Sequence, residues 1–343
     1  MNAQIRPAAA PEQAQDRLLW HDARTGRSGA GGLDLLPQLL APGDVLVLND
    51  AATIPGSLRA ETLHGQELEV RLIVRDGPGE WTVALFGAGD WRTPTEHRPE
   101  PPPLAIGDQL VFPGPIRAEL IAQRYGIARL VQLRFDAGPG VLSHTLFGRG
   151  RPVQYSYLAR ELEVAEVQTP YASAPWAVEM PSAGRPLSWR RLRALRHRGV
   201  EIASLTHAAG LSSIGDAELD RRLPLPEPYL IPQGTVALIQ SAQARGRRVI
   251  AVGTTVVRAL ESAALGDEGL RAGGGLAELK IGPGHRLQMV DGILSGTHEP
   301  GTSHFSLLSA FAAEPVLWRL TKEAARLGHL GHEFGDTVLL LQS

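Results

Sequence analysis

A glycine followed by two threonines is the part of the sequence best suited to hold a polar ligand. Val252 ends an apolar run, Gly253 permits a tight turn, and Thr254 and Thr255 begin a helical pattern. Hydroxyl and backbone N–H groups at a helix N-terminus bind polar or anionic groups. The motif therefore predicts a ligand cradle, although a threonine that merely caps a helix fits the same pattern. One turn further on, Arg258 and the glutamate after it are spaced for an exposed ion pair.

The sequence gives little support for a metal site or for a nucleotide-cofactor site. His298, Glu299 and His304 could suggest a metal, but they lack the i, i+4 helical spacing, and Pro300-Gly301 argues against a helix there. The sequence has no strand followed by G-x-G-x-x-G and no Walker lysine. We therefore expect no metal and neither a dinucleotide-binding nor a P-loop site.

A basic segment lies between Arg185 and Arg198. It holds one tryptophan among its arginines, namely Trp189 with Arg190, Arg191, Arg193, Arg196 and Arg198. Such a helix can grip phosphates or stack on a base, and it can equally be a solvated surface. Because the net charge is only -2, any nucleic-acid binding must come from a local basic face of this kind.

Composition narrows the class of protein and the chemistry open to it. The chain has 343 residues, of which 43% are hydrophobic and 20% charged, as in ordinary globular proteins. This length predicts two domains or one domain with a large insertion. There is no cysteine, so disulfides, thiolate nucleophiles and iron–sulfur clusters are excluded. Without a signal peptide or an apolar run of about 18 residues, we expect a cytoplasmic protein.

The elements that position these residues follow an α/β pattern. Asp44 to Leu48 is a continuous apolar run, predicted to be a buried strand that delivers Asn49 and Asp50 at its end. After Pro181, predicted helices alternate with predicted strands, which favours βαβ units. The helices are 187–198, 233–245, 255–265, 307–313 and 315–327, and the strands are 200–205, 248–252 and 336–341.

The middle of the chain has a different pattern of polar and apolar residues. Short runs with period-2 alternation, such as 67–75, 80–86 and 128–135, predict antiparallel strands and a small β-barrel. We therefore predict a mixed-sheet α/β domain formed by residues 1–55 and 161–343, interrupted by an inserted β-barrel domain at 56–160. In the arm from Met1 to Asp34 only 17–21 resembles a strand, and we expect much of this arm to be mobile.

Two segments resemble one enzyme family. Gly253 to Ser262, Gly-Thr-Thr-Val-Val-Arg-Ala-Leu-Glu-Ser, is similar to a motif of the S-adenosylmethionine:tRNA ribosyltransferase-isomerases, and so is Pro42 to Asp50, Pro-Gly-Asp-Val-Leu-Val-Leu-Asn-Asp. Weaker similarity in the same order covers most of residues 37 to 341. The resemblance implies the same architecture that the periodicity predicts, an α/β domain interrupted by a β-barrel.

The resemblance also implies an activity. The family moves the ribosyl part of S-adenosylmethionine to a 7-aminomethyl-7-deazaguanine at the tRNA wobble position, isomerises it to an epoxy-cyclopentanediol, and releases adenine and methionine. Such chemistry needs a base beside the sulfonium, a donor that assists adenine departure and a pocket for a splayed-out base. S-Adenosylmethionine and tRNA are then substrates, and no metal or redox cofactor is required.

Positions that match the family's motifs carry the implied roles. Asp50 and His298 are the implied catalytic residues. The implied substrate-binding residues are Asn49, Ser182, Gly184, Gly253, Thr254, Thr255 and Arg258. Taken without the family, Asp50 could cap a turn and His298 could be an ordinary loop histidine.

Several polar positions depart from the family pattern. Ala51-Ala52 stand where the family has threonine and arginine, and Pro186 stands where it has histidine. Without the threonine and the arginine beside Asp50, a fixed contact with an anion is lost. His207 stands one position away from a histidine of the family pattern. Glu227 matches a glutamate of that pattern, but the two histidines near it are absent from this sequence. Arg185, His207 and Glu227 are therefore secondary site candidates.

These departures leave three hypotheses open. The protein is an active tRNA-modifying transferase, or a divergent paralogue that uses S-adenosylmethionine on another acceptor, or a catalytically silent module that binds RNA through its basic helix. Release of adenine and binding of S-adenosylmethionine separate the first two hypotheses from the third. Salt-sensitive RNA binding without turnover would favour the third.

Overall fold

The structure, a computed structural model, describes residues 5–211, 213–216, 220, 223–265 and 269–342. In chain order, its strands are β1 (Arg6–Pro7), β2 (Arg17–Asp22), β3 (Arg27–Gly32), β4 (Val45–Asn49), β5 (Ala51–Thr53), β6 (Ser57–Thr62), β7 (Glu67–Gly77), β8 (Glu80–Gly87), β9 (Gln109–Val111), β10 (Arg117–Arg124), β11 (Ile127–Phe135), β12 (Ala174–Ala177), β13 (Glu201–His207), β14 (Glu227–Ile231), β15 (Val249–Val252), β16 (Gly273–Ala277), β17 (Gly292–Gly296), β18 (Leu330–Gly331) and β19 (Thr337–Leu341). Its α-helices are α1 (Leu36–Leu39), α2 (Pro139–Arg149), α3 (Trp189–His197), α4 (Gln233–Ala244), α5 (Thr254–Ala263), α6 (Ser303–Leu308) and α7 (Glu314–Arg326).

A mixed sheet forms the larger part of the molecule. Its strand order is β16-β14-β13-β4-β15-β17-β19-β2-β3. The central strands β13, β4, β15 and β17 are parallel to their neighbours within this group. Every residue of β4 is buried, as its continuous apolar sequence predicts, because helices cover both faces of the sheet.

Two apolar cores lie on the two faces of this sheet. Helices α4, α5, α6 and α7 pack against one face through residues such as Ile239, Leu260 and Leu320. Helices α1 and α3 pack against the other face through residues such as Leu36 and Leu192. Alternate residues of each central strand therefore face different helices, which decides what surrounds a side chain at the strand end.

Strands β10, β11, β8, β7, β6 and β9 close into a barrel. Its pairings are antiparallel, so the predicted fold class is confirmed. The barrel core also contains Leu211, Ile214, Leu223 and Leu225, which follow β13 in the chain. The segment that follows β13 therefore completes the apolar core of the barrel.

Two details differ from the sequence-based predictions. The arm before Asp34 contributes β2 and β3, which pair antiparallel and extend the sheet beyond β19. Backbone pairing therefore orders these described residues of the arm, while residues 1–4 lie outside the described residues. The helix predicted at 307–313 instead runs from Ser303 to Leu308, and the hydroxyl of Thr302 accepts a hydrogen bond from the Phe305 N–H at its start.

Among the helices of the described residues, none is long and apolar enough to cross a membrane.

Candidate active site

Polar residues gather where the parallel strands end. Asn49 and Asp50 stand at the end of β4, Gly253 follows β15, Ser295 lies near the end of β17, and His207 is the last residue of β13. Since parallel strands place their carboxyl ends at one edge, these segments from distant parts of the chain become neighbours. This edge of an open α/β sheet is where such proteins bind ligands.

Asp50 is held by two hydroxyl groups of the neighbouring strand. The Thr206 hydroxyl donates to its Oδ1 at 2.7 Å, and the Ser204 hydroxyl donates to its Oδ2 at 3.2 Å. The carboxylate is half-buried and keeps lone pairs that these two bonds do not use. Its position is fixed while its oxygens can still accept a proton.

Tyr171 lies close to this carboxylate. Burial, with a further contribution from the Asp50 charge, raises the pKa of the Tyr171 phenol well above its usual value. Among the described residues the phenol oxygen has no hydrogen-bond partner. Gly184 leaves room for it, because a Cβ at that position would lie 1.8 Å from the Tyr171 oxygen.

Asn49 is fully occupied by the protein itself. Its amide nitrogen donates to the His207 carbonyl at 3.0 Å and to the Thr255 hydroxyl at 3.2 Å. Its amide oxygen accepts from the backbone N–H groups of Ala51 at 3.1 Å and His207 at 2.9 Å. All four hydrogen-bonding positions of the side chain are used, so Asn49 ties β4, β13 and α5 together.

The cradle predicted at Gly253 has the expected local form. Gly253 has φ of +89° and precedes α5, whose first turn has no side-chain cap from the described residues. The leading N–H groups of a helix have no partner within it, so these donors remain open to a ligand. A Cβ at Gly253 would lie 3.4 Å from Ala183, which places the turn Ser182–Gly184 beside the cradle.

His298 stands beyond β17, at the same edge. Its Nε2 lies 3.0 Å from the Ser295 hydroxyl, and its ring stacks on His304 with centroids 4.7 Å apart. Burial lowers the pKa of His298 well below its usual value, and His304 and His332 lower it further. β15 lies between β17 and β4, so the strands that lead to His298 and to Asp50 are two strand spacings of about 4.8 Å apart.

Arg258 is turned away from the cradle and is 4% exposed. Its guanidinium contacts the Glu227 carboxylate and donates to the carbonyls of Leu279 at 3.1 Å and Ala277 at 2.6 Å. Glu261 is also buried and accepts from three backbone N–H groups at 288–290. The exposed ion pair suggested by their spacing is therefore wrong, because each residue is buried with other partners.

His207 and Glu227 belong to the same buried group. His207 is fully buried, and its Nε2 lies 3.4 Å from Glu227 Oε2. Burial, with Arg258, lowers the pKa of His207 to about 3. Burial raises the pKa of Glu227, while Arg258 and the Gly210 N–H oppose this rise. These side chains position the loop after β13 and do not face an open cleft.

Arg185 adjoins the turn that contains Ser182 and Gly184. Its guanidinium lies over the Phe334 ring, 5.8 Å from the centroid, and 3.6 Å from an Asp16 oxygen. Within the described ranges its buried Nε and Nη2 have no hydrogen-bond partner. Burial lowers the pKa of this arginine. Arg185 therefore has N–H donors to offer a ligand.

Sequence reasoning missed the hydroxyl groups around the site. Ser204, Thr206, Tyr171 and Ser295 belong to no chemical motif, and only their position on strands or beside them brings them to Asp50 and His298. Thr206 could be identified only from the order of the strands, which places β13 beside β4. In the part of the chain that the structure describes, no three metal-ligating side chains group together.

Comparison with known proteins gives a consistent result. The family model for queuosine biosynthesis proteins matches residues 2–340. An S-adenosylmethionine:tRNA ribosyltransferase-isomerase from Moorella thermoacetica is 32% identical, over 89% of this chain and 87% of its own length. Its namesake from Carboxydothermus hydrogenoformans is 31% identical, over 95% and 93% of the two chains.

A solved structure supports the fold. An S-adenosylmethionine tRNA ribosyltransferase from Thermotoga maritima superposes with a TM-score of 0.50 at 23% sequence identity. The match covers 98% of this chain and 95% of that one. At this identity the likeness concerns the fold alone, in which an α/β sheet and a barrel occur together.

Proposed function

The chain belongs to the queuosine biosynthesis protein family, and from this membership we propose that it is an S-adenosylmethionine:tRNA ribosyltransferase-isomerase. Its substrates are S-adenosylmethionine and a tRNA that carries 7-aminomethyl-7-deazaguanine at the wobble position. The products are epoxyqueuosine-tRNA, adenine and methionine. Because tRNA is the acceptor, we infer a cytoplasmic location.

The arrangement around Asp50 carries the proposal. Its carboxylate is fixed by Thr206 and Ser204 at the edge where α5 begins with uncapped N–H groups. A carboxylate in this position serves as the base that removes a proton from the carbon next to the sulfonium. The helix N-terminus at Thr254 and Thr255 suits the carboxylate of the methionine part.

His298 is proposed to assist the departure of adenine. Its lowered pKa keeps the imidazole neutral at physiological pH, and a neutral imidazole can both donate and accept a hydrogen bond. Its contact with the Ser295 hydroxyl fixes the ring. Arg258 and Asn49 then act as positioning residues, because their polar atoms are largely or wholly committed to the protein.

Family membership favours a role for the basic helix α3 in this enzyme over a silent RNA-binding module. Arg191 pairs with Asp16 at 2.5 Å and with Asp34 at 2.8 Å, and Arg190 lies 3.3 Å from Asp34. Two of its arginines are thus partly neutralised, while Arg193 and Arg196 are exposed. We propose that the exposed arginines contact the tRNA backbone.

Incubation with S-adenosylmethionine and tRNA bearing the deazaguanine precursor tests the function. We expect release of adenine and a matching gain of the epoxy-cyclopentanediol on the tRNA. Adenine release without modification of this tRNA would favour a different acceptor, which the alanines at positions 51 and 52 would then explain. Tight RNA binding with no adenine release would favour the silent module.

A further inference from the structure

A second histidine lies directly against the proposed catalytic histidine. The ring of His304 is nearly parallel to that of His298, with centroids 4.7 Å apart and planes at 12°. His298 follows β17, whereas His304 belongs to the first turn of α6. Both side chains are only partly buried. His304 is therefore a titratable group beside the site that the proposed reaction does not use.

A capped turn brings the two rings together. The Thr302 hydroxyl accepts a hydrogen bond from the Phe305 N–H at 3.1 Å and donates one to the Glu299 carbonyl at 2.8 Å. Phe305 is 8% exposed and packs in the apolar core that α5 and α7 share. The backbone on both sides of His304 is thus held by a helix cap and by a buried side chain. The contact between the rings is therefore a fixed feature of the fold.

The stacked ring restricts a motion that the Ser295 contact leaves open. Ser295 is 1% exposed, and its hydroxyl holds one edge of the His298 ring through Nε2 at 3.0 Å. The torsion that turns a histidine ring has broad energy wells, so one hydrogen bond at the edge does not fix the ring plane. A flat neighbour on the ring face does, because packed aromatic rings favour particular angles.

The surroundings of the pair favour uncharged rings. Burial lowers the pKa of His298 well below its usual value, and His304 and His332 lower it further. Burial also lowers the pKa of His304, with a contribution from the Arg258 guanidinium. Glu299 faces His332 and opposes the effect of burial on the pKa of that ring. Since two imidazolium rings in contact repel each other, a proton on either ring of the stack opposes protonation of the other.

We infer that His304 is a positioning residue for His298 in the departure of adenine. Its ring holds the His298 imidazole in one plane, so the free edge of that imidazole meets the ligand in a fixed orientation. It also keeps the His298 imidazole neutral to lower pH than the same ring without this neighbour. The inference rests on the proposed function, because it assigns to His304 an effect on the step in which adenine leaves.

Two substitutions of His304 separate a flat ring from mere volume. His304→Phe keeps a ring in the stack, whereas His304→Leu fills the space without one. With S-adenosylmethionine and the precursor tRNA at pH 8, the kcat of adenine release should stay within about threefold of the parent in His304→Phe. It should fall about tenfold or more in His304→Leu, because a misoriented catalytic group slows the reaction. The KM for S-adenosylmethionine should change less than about threefold in both variants.

His144→Leu, at an exposed histidine of α2, is the matched control and should retain the parent's kcat. A purely structural role for His304 would lower the melting temperature and leave the kcat of the folded enzyme unchanged. The melting temperature of each variant is therefore measured beside its kcat.

Proton binding by His298 gives a second readout that needs no turnover. Its ring signal in NMR spectra is identified by its absence from His298→Gln. In both His304→Phe and His304→Leu, His298 should bind its proton at a pH higher than in the parent by about half a unit or more, because no second charge opposes it. His144→Leu should leave this titration unchanged.

Three results would overturn the inference: His304→Leu with the parent's kcat, His304→Phe as slow as His304→Leu, or an unchanged His298 titration in both variants. No adenine release by the parent would contradict the proposed function, and the role of His304 with it. An active parent with an equally active His304→Leu would contradict the inference alone.

Discussion

Two hydroxyl groups on the same face of β13 hold the Asp50 carboxylate in position. Ser204 and Thr206 lie two residues apart, so both point to the same face of the sheet as the Asp50 carboxylate. The Asn49 side chain points to the opposite face and bonds Thr255 of α5. Neighbouring residues at one strand end thus face opposite sides of the sheet, and we propose a chemical role for Asp50 and a structural one for Asn49.

Asp50→Asn tests the chemical role. An amide cannot take up the proton, but its oxygen can accept from one of the two hydroxyls and its NH₂ group can donate to the other, so the fold should be preserved. General base catalysis contributes about 10²- to 10⁴-fold, and we expect adenine release to slow by that factor. S-Adenosylmethionine binding, measured by calorimetry, should change less than tenfold. Asp108→Asn, in an exposed barrel loop, is the control, and a loss below about tenfold in Asp50→Asn would exclude this residue as the base.

His207 makes the folded protein sensitive to acid. The folded chain keeps this imidazole neutral down to about pH 3, whereas the unfolded chain protonates it near its ordinary value of 6.5. The unfolded state therefore binds more protons between these values, and stability falls as the pH falls. One such group contributes a slope of about 1.4 kcal/mol per pH unit.

His207→Asn should flatten this slope. The free energy of unfolding, measured with denaturant at pH 6, 5 and 4, should fall less steeply in the variant than in the parent. A loss of stability from altered packing does not depend on pH, so it shifts the whole curve and leaves its slope unchanged. His64→Asn, on the exposed surface of the barrel, should leave the slope unchanged. Parallel curves for parent and His207→Asn would contradict the assignment.

At the scale of elements, the junction between β15 and α5 depends on a backbone conformation that favours glycine. Gly253 has φ of +89°, and its N–H donates to the Leu294 carbonyl of β17 at 2.8 Å. The turn thus joins a strand, a helix and a neighbouring strand at the proposed binding edge. A side chain here would strain the turn because of the positive φ, while its Cβ would make ordinary contact with Ala183.

Gly253→Ala should lower stability by about 1–2 kcal/mol because of its left-handed conformation. We also expect weaker S-adenosylmethionine binding, since the N-terminus of α5 would shift. Gly234→Ala in α4 is the matched control, because nothing lies within 4 Å of its added Cβ, and alanine favours helix there. Denaturant unfolding and calorimetry check both effects; equal stability of the two variants would argue against strain at Gly253.

Helix α3 presents Arg193 and Arg196 on one exposed side. Replacement of Arg193 and Arg196 by glutamate should weaken tRNA binding and make its salt dependence less steep, since fewer counterions are released. We expect the slope of log Kd against log salt to fall by about 1.5 or more. Arg245→Glu with Arg247→Glu, exposed near the amino-terminal ends of the parallel strands, is the control. An equal effect of the two pairs would contradict a specific role for α3.

At the scale of the whole molecule, a segment that connects two strands of the sheet completes the core of the barrel. Leu211, Ile214, Leu223 and Leu225 fill the barrel core although they belong to the segment between β13 and β14. This segment also carries the Gly210 N–H that bonds Glu227. Packing of the barrel is thus connected to the buried group behind the strand edge.

We propose that residues 56–160 form an inserted unit that depends on this packing. The isolated fragment 56–160 lacks these four apolar side chains, and burying each contributes about 1.5–3 kcal/mol. We expect it to unfold at lower denaturant concentration than the barrel within the whole chain, by amide hydrogen exchange. Protection of the isolated fragment equal to that in the intact protein would show that the barrel is independent.

The sequence by itself determined the type and order of most elements, because apolar periodicity is local. The tertiary structure placed Asp50 and the Gly253 cradle at one edge, because β4 and β15 are parallel neighbours. Only the tertiary structure decided which atoms these residues meet. Arg258 bonds Glu227, 31 residues away, and Asp50 bonds Thr206, 156 residues away. Side-chain partners come from distant segments of the chain, so no local pattern encodes them.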